Sequence, residues 1–194
     1  MLLIATRNKH KFEEIKRFVP DGIQVVSLAD LGINLEVEED GESFVQNSIK
    51  KAVFYGNMTK MKVIADDSGL VIDALNGFPG VHSARFMKDY DYKEKMMVIL
   101  KMMEKKEERF ARFVCAATYY DPVGNIIICC EEKVEGTLAY EIRGSEGFGY
   151  DPIFIPNGYD KTFGEMGEEK HKISHRYKAF TKLFSLLRAI IFDK

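Results

Sequence analysis

Between Val63 and Leu70 the chain reads VIADDSGL, two aspartates inside a run that otherwise has the apolar, partly β-branched character of a buried strand. An ionised carboxylate taken out of water without a partner costs several kcal/mol, so two in succession constrain the fold strongly. Cations, hydrogen-bond donors or a metal must be brought to them from elsewhere in the chain. Successive side chains on a strand point to opposite faces, so Asp66 and Asp67 are expected to do different jobs unless a turn at Ser68-Gly69 rotates one of them.

The elements around this run read as mixed α/β. Leu2 to Ala5 is a short apolar strand, followed by a polar turn and a helix with Phe12, Ile15 and Phe18/Val19 on one face. A second helix, from about 42 to 56, places Val45, Ile49, Ala52 and Val53 on an apolar side and turns Asn47 and Lys51 away from it. Residues 63 to 65 and 70 to 72 read as strand pieces around the acidic turn, and 91 to 106 as a helix. Residues 110 to 120 and 126 to 134 flank Asp121-Pro122-Val123-Gly124-Asn125, a turn that predicts a long hairpin. The last helix begins near His175 with the stripe Tyr177, Phe180, Phe184, Leu187 and Ile191. With 194 residues, 46% of them hydrophobic, and no linker or repeat, a single domain over 1–194 is expected.

Charge sits at the wrong ends of two of these helices. Helix N-termini carry partial positive charge and favour acids, as the helix near Asp91 shows with Asp91 and Glu94 at its start and Lys101, Lys105 and Lys106 toward its end. The first helix instead opens on Thr6-Arg7-Asn8-Lys9-His10-Lys11, and the last on Ser174-His175-Arg176 after Lys170 and Lys172. Salt-screened surface cations are tolerated anywhere, but two such clusters beside an ordinary helix favour a polyphosphate-like anion gripped from helix ends. No Walker A run is present. Phosphate chemistry commonly brings magnesium, which takes carboxylate and water oxygens; Asp66, Asp67 and the run Glu36 to Asp40 are the candidates, a solvated loop being the competing reading of the latter.

The stretch Arg143 to Pro152, RGSEGFGYDP, places three glycines around two aromatics and a carboxylate. Phe148 can stack on a flat ring, and an ionised Asp151 accepts a proton that a 6-oxopurine carries on N1 and adenine lacks. A glycine-rich turn with core aromatics is the competing reading.

Five segments in order, ATRNKHK, EEDGESFVQNSIKKA, IADDSGLVIDALNGFPGVHSARF, GFGYDPIF and ISHR, resemble the inosine/xanthosine triphosphate pyrophosphatases over nearly the whole chain. The resemblance implies magnesium-dependent hydrolysis of ITP, dITP and XTP to the monophosphate and pyrophosphate. It also implies a homodimer and an elongated, two-lobed α/β domain whose central mixed sheet is flanked by helices and carries a long hairpin. Carried over, it assigns Thr6, Arg7, Asn8, Lys9, His10, Lys11 and Lys51, with Asn47 nearby, to phosphate binding. Glu38 and Asp67 become the metal ligands, Asp67 the catalytic residue, and Ser68 a substrate contact. Phe148, Gly149, Tyr150 and Asp151 fall on the nucleoside pocket, and Lys170, His175 and Arg176 on base and phosphate contacts, with Ser174 beside them. Arg7 stands where many members have a small glycine, and Lys172 competes with Lys170 for one role.

A net charge of -2 and the lack of an aromatic-rich basic strand argue against a nucleic-acid partner. The short apolar start and the absence of about 18 consecutive apolar residues predict no signal peptide and no membrane span. Cys115, Cys129 and Cys130 have no metal-ligand spacing, and their odd number suits a reducing compartment, so a cytoplasmic protein is expected. A non-catalytic nucleotide sensor and a pyrophosphatase for modified or pyrimidine nucleotides are the rival readings.

Overall fold

In the computed structural model, which describes residues 1–189, the chain forms six strands and five α-helices among the described residues. The strands are β1 (Leu2–Ile4), β2 (Val25–Ser27), β3 (Lys62–Ile72), β4 (Phe110–Asp121), β5 (Ile126–Leu138) and β6 (Phe154–Pro156). The helices are α1 (Lys9–Phe18), α2 (Phe44–Thr59), α3 (Tyr92–Met102), α4 (Phe163–Met166) and α5 (His175–Leu187). One mixed sheet runs in the order β2-β1-β3-β4-β5-β6. β1 pairs in parallel with both β2 and β3, Leu3 lying opposite Val26 and Val63, whereas β6 pairs antiparallel with β5.

Two compact units make up the chain. The first comprises Met1–Asp67, Cys115–Glu132 and the stretch from His175; the second comprises Ser68–Val114 and Lys133–Ser174. Within the first, Leu2, Ile4, Ile15, Ile64, Cys115, Phe180 and Leu183 form one apolar cluster, and Leu3, Ala5, Ala52, Tyr55, Val63 and Ala65 another. Ile64 thus faces the helices α1 and α5, while Val63 and Ala65 face α2, the alternation a strand imposes. Each fully buried Ile or Phe here contributes roughly 1.5–3 kcal/mol. The second unit is built around Phe113, Phe154 and Phe163, with ring centroids 4.8 to 5.9 Å apart, and the buried Ile99 and Met103 of the α3 region.

Four expectations from the sequence change. β3 is one unbroken strand, with no turn at Ser68-Gly69. α2 buries Phe44, Asn47, Ser48, Ala52 and Tyr55, so Asn47 lies on the inward face, with Lys51 half-buried beside it, and Phe54 and Met58 are exposed. The buried polar site beneath this helix decides its orientation, and Ile49 and Val53 settle at its flank. α3 stops at Met102, where the buried Arg109 donates to the Met103 carbonyl at 3.3 Å and satisfies one of the free acceptors of the helix end. The hairpin strands β4 and β5 extend to Leu138, beyond the expected end at 134. On α5, Phe180, Phe184 and Leu187 are buried and Tyr177 meets Phe18 edge-on at 5.7 Å; Ile191 lies outside the described residues.

Candidate active site

In the first unit the alternation of β3 sends Asp66 and Asp67 to opposite faces. Asp66, fully buried, meets Lys11 of α1 at 3.1 Å and the Arg176 Nε of α5 at 3.4 Å. Burial raises its carboxyl, but Lys11, Arg176 and Lys51 outweigh that and hold it well below the usual carboxylate range. Arg176 is itself only 1% exposed and pairs through Nη1 with Glu14 of α1, so Glu14, Arg176, Asp66 and Lys11 form a buried chain of alternating charge.

Asp67 faces α2. Its Oδ2 accepts from Asn47 Nδ2 at 3.0 Å, and the Asn47 carbonyl in turn accepts from the Gly41 N–H at 2.8 Å. Ser48, next on the helix, donates to the Thr118 hydroxyl oxygen at 2.8 Å and shares the Ala65 carbonyl, fastening α2 to β3. Burial pushes the Asp67 carboxyl up; Lys51 and Lys11 oppose this and the neighbouring Glu39 adds to it. Lys51 Nζ lies 2.5 Å from Glu39 Oε1, and this carboxylate with Asp66 and Asp67 keeps the lysine protonated against the cost of burial.

The acid that the loop before α2 brings into this cluster is Glu39. Glu38, the expected metal ligand, is exposed, because the loop turns Val37 into the core and its neighbour outward. Among the described residues no group of three or more His, Cys, Asp or Glu side chains is arranged to hold a metal by itself. Magnesium asks for less: one or two carboxylates, with waters and phosphate oxygens completing its shell. Asp67 and Glu39, close enough for Glu39 to raise the Asp67 carboxyl, fit that demand.

At the start of α1, Asn8 caps the helix by accepting from the His10 and Lys11 N–H groups at 2.9 and 3.2 Å, and the Thr6 hydroxyl accepts from Asn8 N–H. No acid occupies the first turn, and Lys9 and His10 are exposed there. Arg7 points to Glu36 at 3.6 Å on the surface. α5 likewise has no acid in its first turn; His175 and Arg176 open it and both are buried.

The second unit holds a closed pair. Asp151 Oδ2 accepts from the Phe148 N–H at 2.8 Å and from Lys170 Nζ at 2.7 Å, both side chains being almost fully buried. The same Lys170 ammonium lies 5.0 Å from the centre of the Phe148 ring, a cation–π contact. Gly147 takes φ +74 because a Cβ there would meet Asp151 Oδ2 at 2.2 Å, so the turn closes over the carboxylate only with glycine. Tyr150 is buried and donates to the Ser83 carbonyl at 2.9 Å; Ser68 and Gly149 are half-buried. Lys172, the rival of Lys170, is on the same short turn, but Lys170 is the one that reaches Asp151.

Glu14 was not singled out from the sequence as a site residue, and Glu39 was a candidate only as one acid of the run from Glu36 to Asp40. For Glu14 a signal existed: it is an acid one turn from Lys11 and next to the apolar Ile15, on the face that α1 buries. For Glu39 nothing went further, since four acids around Val37 do not say which one turns inward.

An α/β protein with cations at two helix N-termini and a buried, carboxylate-rich cluster beside one of them has the donor set of a phosphate-handling protein. Residues 2–186 match the profile of the Ham1 family, and the chain belongs to that family. A Bacillus subtilis relative named dITP/XTP pyrophosphatase is 47% identical, the alignment covering 96% of each chain. One from Dictyoglomus thermophilum with the same name is 43% identical over 97% of this chain and 95% of the relative. The solved structure of a HAM1 protein from Coxiella burnetii superposes with a TM-score of 0.89 at 34% identity, covering 97% of this chain and 98% of that one.

Proposed function

We propose that this chain is a magnesium-dependent nucleoside triphosphate pyrophosphatase that converts dITP, XTP and ITP to the monophosphate and pyrophosphate. The observation that carries the reading is the division of labour at Asp66 and Asp67: one carboxylate locked by two cations, the other raised by burial and set beside Glu39 and Lys51. The names of the Bacillus subtilis and Dictyoglomus thermophilum relatives support the same activity.

In this reading Asp67 and Glu39 would hold magnesium, Glu39 in the place expected of Glu38. When bound, magnesium supplies charge neutralisation at the phosphate oxygens. Thr6, Asn8, Lys9, His10 and Lys11 at the start of α1, with Lys51, bind the phosphate oxygens and stabilise the charge that develops as a water attacks the α-phosphorus and pyrophosphate leaves. Asp67, set between Asn47 and the Lys51–Glu39 pair, orients that water and accepts its proton. Arg176 acts from behind, holding Asp66 and through it Lys11. In the second unit Asp151 and Lys170 present a fixed acceptor and a fixed donor to a purine ring, Phe148 supplies a stacking face, and Gly149 and Tyr150 shape the turn; Ser68 and His175 complete the substrate contacts. No helix among the described residues is long and apolar enough to cross a membrane. We place the protein in the cytoplasm as a homodimer of single 194-residue domains, and light scattering should return twice the chain mass.

The test is to incubate the protein with magnesium and a panel of nucleoside triphosphates and identify the products. Monophosphate and pyrophosphate from dITP and XTP, with dATP spared, is the expected result. Diphosphate and orthophosphate would overturn the mechanism, and tight binding without turnover would leave a sensor.

A further inference from the structure

The turn from Phe148 to Asp151 is closed by the Asp151 N–H donating to the Phe148 carbonyl at 3.4 Å and the Phe148 N–H donating to Asp151 Oδ2 at 2.8 Å, with Gly149 between them. Gly149 takes φ +69, and the heavy atoms within 4 Å of a Cβ placed on it, apart from its chain neighbours, are Cε1 and Cζ of Tyr92, at 3.7 and 3.9 Å. Tyr92 also meets the Tyr150 ring edge-on, with centroids 5.3 Å apart and an interplanar angle of 85°. One aromatic ring therefore packs against Tyr150 and lies beside Gly149 in the turn that ends in Asp151.

Tyr92 is well held for that task. It is the first residue of α3, just inside a capping box in which Asp91 accepts from the Glu94 N–H at 2.8 Å and Glu94 accepts from the Asp91 N–H at 3.1 Å. One turn on, Lys95 is buried, donates to the Ala84 carbonyl at 3.1 Å and places its ammonium 4.8 Å from the Tyr92 ring centre. Burying a lysine for a carbonyl and an aromatic face is unfavourable by itself, and burial lowers its pKa; the cation–π contact recovers part of that and fixes the ring. The Tyr92 phenol is pushed up by burial and then by the nearby Asp151 charge, so it stays neutral.

We propose that Tyr92 is a positioning residue for base recognition, its ring packing edge-on against Tyr150 so that Asp151, the next residue, meets the purine edge in one orientation. The proposal rests on the pyrophosphatase reading above. A carboxylate that discriminates a 6-oxo from a 6-amino purine does so by a hydrogen bond of fixed direction, and a misplacement of about 1 Å is enough to cost up to about 100-fold. Tyr92 does not touch the reacting phosphate in this scheme, so its loss should appear in substrate affinity and selectivity rather than in turnover.

The experiment compares wild type, Tyr92→Ala, Tyr92→Leu and Tyr92→Phe for KM and kcat on dITP and dATP, with thermal melts of each. Tyr92→Ala is expected to raise the KM for dITP roughly tenfold and to lower the dITP to dATP ratio of kcat/KM by roughly the same factor, with kcat on dITP within about threefold. Tyr92→Phe keeps the ring and is expected to restore both values. If Tyr92→Ala fails to fold, Tyr92→Leu carries the same test. An unchanged ratio, an equal loss of activity on both nucleotides, or a Tyr92→Phe variant as defective as Tyr92→Ala overturns the proposal. A wild-type protein that leaves dITP intact removes the pyrophosphatase reading and the proposal with it. An active wild type with an unaltered Tyr92→Ala ratio removes the proposal alone.

Discussion

The two units solve the problem of buried charge in opposite ways. In the first, three cations, Lys11, Lys51 and Arg176, are set among four carboxylates, Glu14, Glu39, Asp66 and Asp67. In the second, the cluster beside Phe148 matches one cation with one carboxylate, Lys170 with Asp151 at 2.7 Å, and a backbone N–H also donates to the carboxylate, while the buried Lys95 and Arg109 of that unit are met by carbonyls. The balanced pair suits an uncharged ring, which needs donors and acceptors in fixed directions. An unbalanced cluster retains an affinity for further positive charge and, through the exposed cations at the start of α1, for phosphate.

The largest effect that would sharpen this contrast comes from Asp67→Asn. It should lower kcat on dITP by about 10³-fold or more while leaving thermal stability the same or higher, because Asp67 is the carboxylate that burial disfavours in its ionised form. The same substitution should abolish any rise in melting temperature that magnesium produces in the wild type, and near-normal turnover would break the assignment. Asp66→Asn should do the reverse. Removing the charge between Lys11 and Arg176 leaves buried cations poorly compensated and should cost about 3 kcal/mol of unfolding free energy, measured by urea denaturation. An Asp66→Asn protein as stable as wild type would mean that the chain from Glu14 to Lys11 is not a structural unit.

In the second unit Asp151→Asn should reduce the preference for dITP over dATP by roughly 10- to 100-fold, with a smaller change in kcat. A constant selectivity ratio in steady-state assays would assign the reading of the base to backbone groups instead. The smallest effect is expected away from both sites, at the hairpin. The Asp121 carboxyl, raised by burial but lowered more by the Gly124 and Val123 N–H groups and Lys62, sits below its ordinary value in the fold. Its contribution is therefore present above the unfolded value near about pH 4 and lost as pH falls through the lower folded value. The stability gap between wild type and Asp121→Asn should accordingly be widest at neutral pH and close in acid; a gap that widens in acid would contradict the assignment.

Much of this arrangement was legible in local pattern. The acids of VIADDSGL announced partners, strand alternation separated Asp66 from Asp67, and the reversed charge at the starts of α1 and α5 pointed to Lys11 and Arg176. What was not legible was pairing across the chain. Asn47 and Lys51 looked like a solvent face because Val45, Ile49 and Val53 form a plausible apolar side. The chain instead buries the polar side, since the acids of β3 and the loop before α2 compensate it there. Glu38 and Glu39 are chemically alike, and only the burial of Val37 decides which of them turns inward. Lys170 and Asp151 read as separate substrate contacts, yet they are bonded to each other.

By itself the sequence determined the α/β class, the longer elements and the types of residue that phosphate and purine chemistry need, because periodicity, capping and charge placement act over a few residues; the short β2, β6 and α4 were not read from it. Which carboxylate meets which cation was left to the tertiary structure. Burial free energy depends on partners brought from 20 residues away in the case of Asn47 and Asp67, and from 162 in the case of Glu14 and Arg176, and no local pattern encodes that distance.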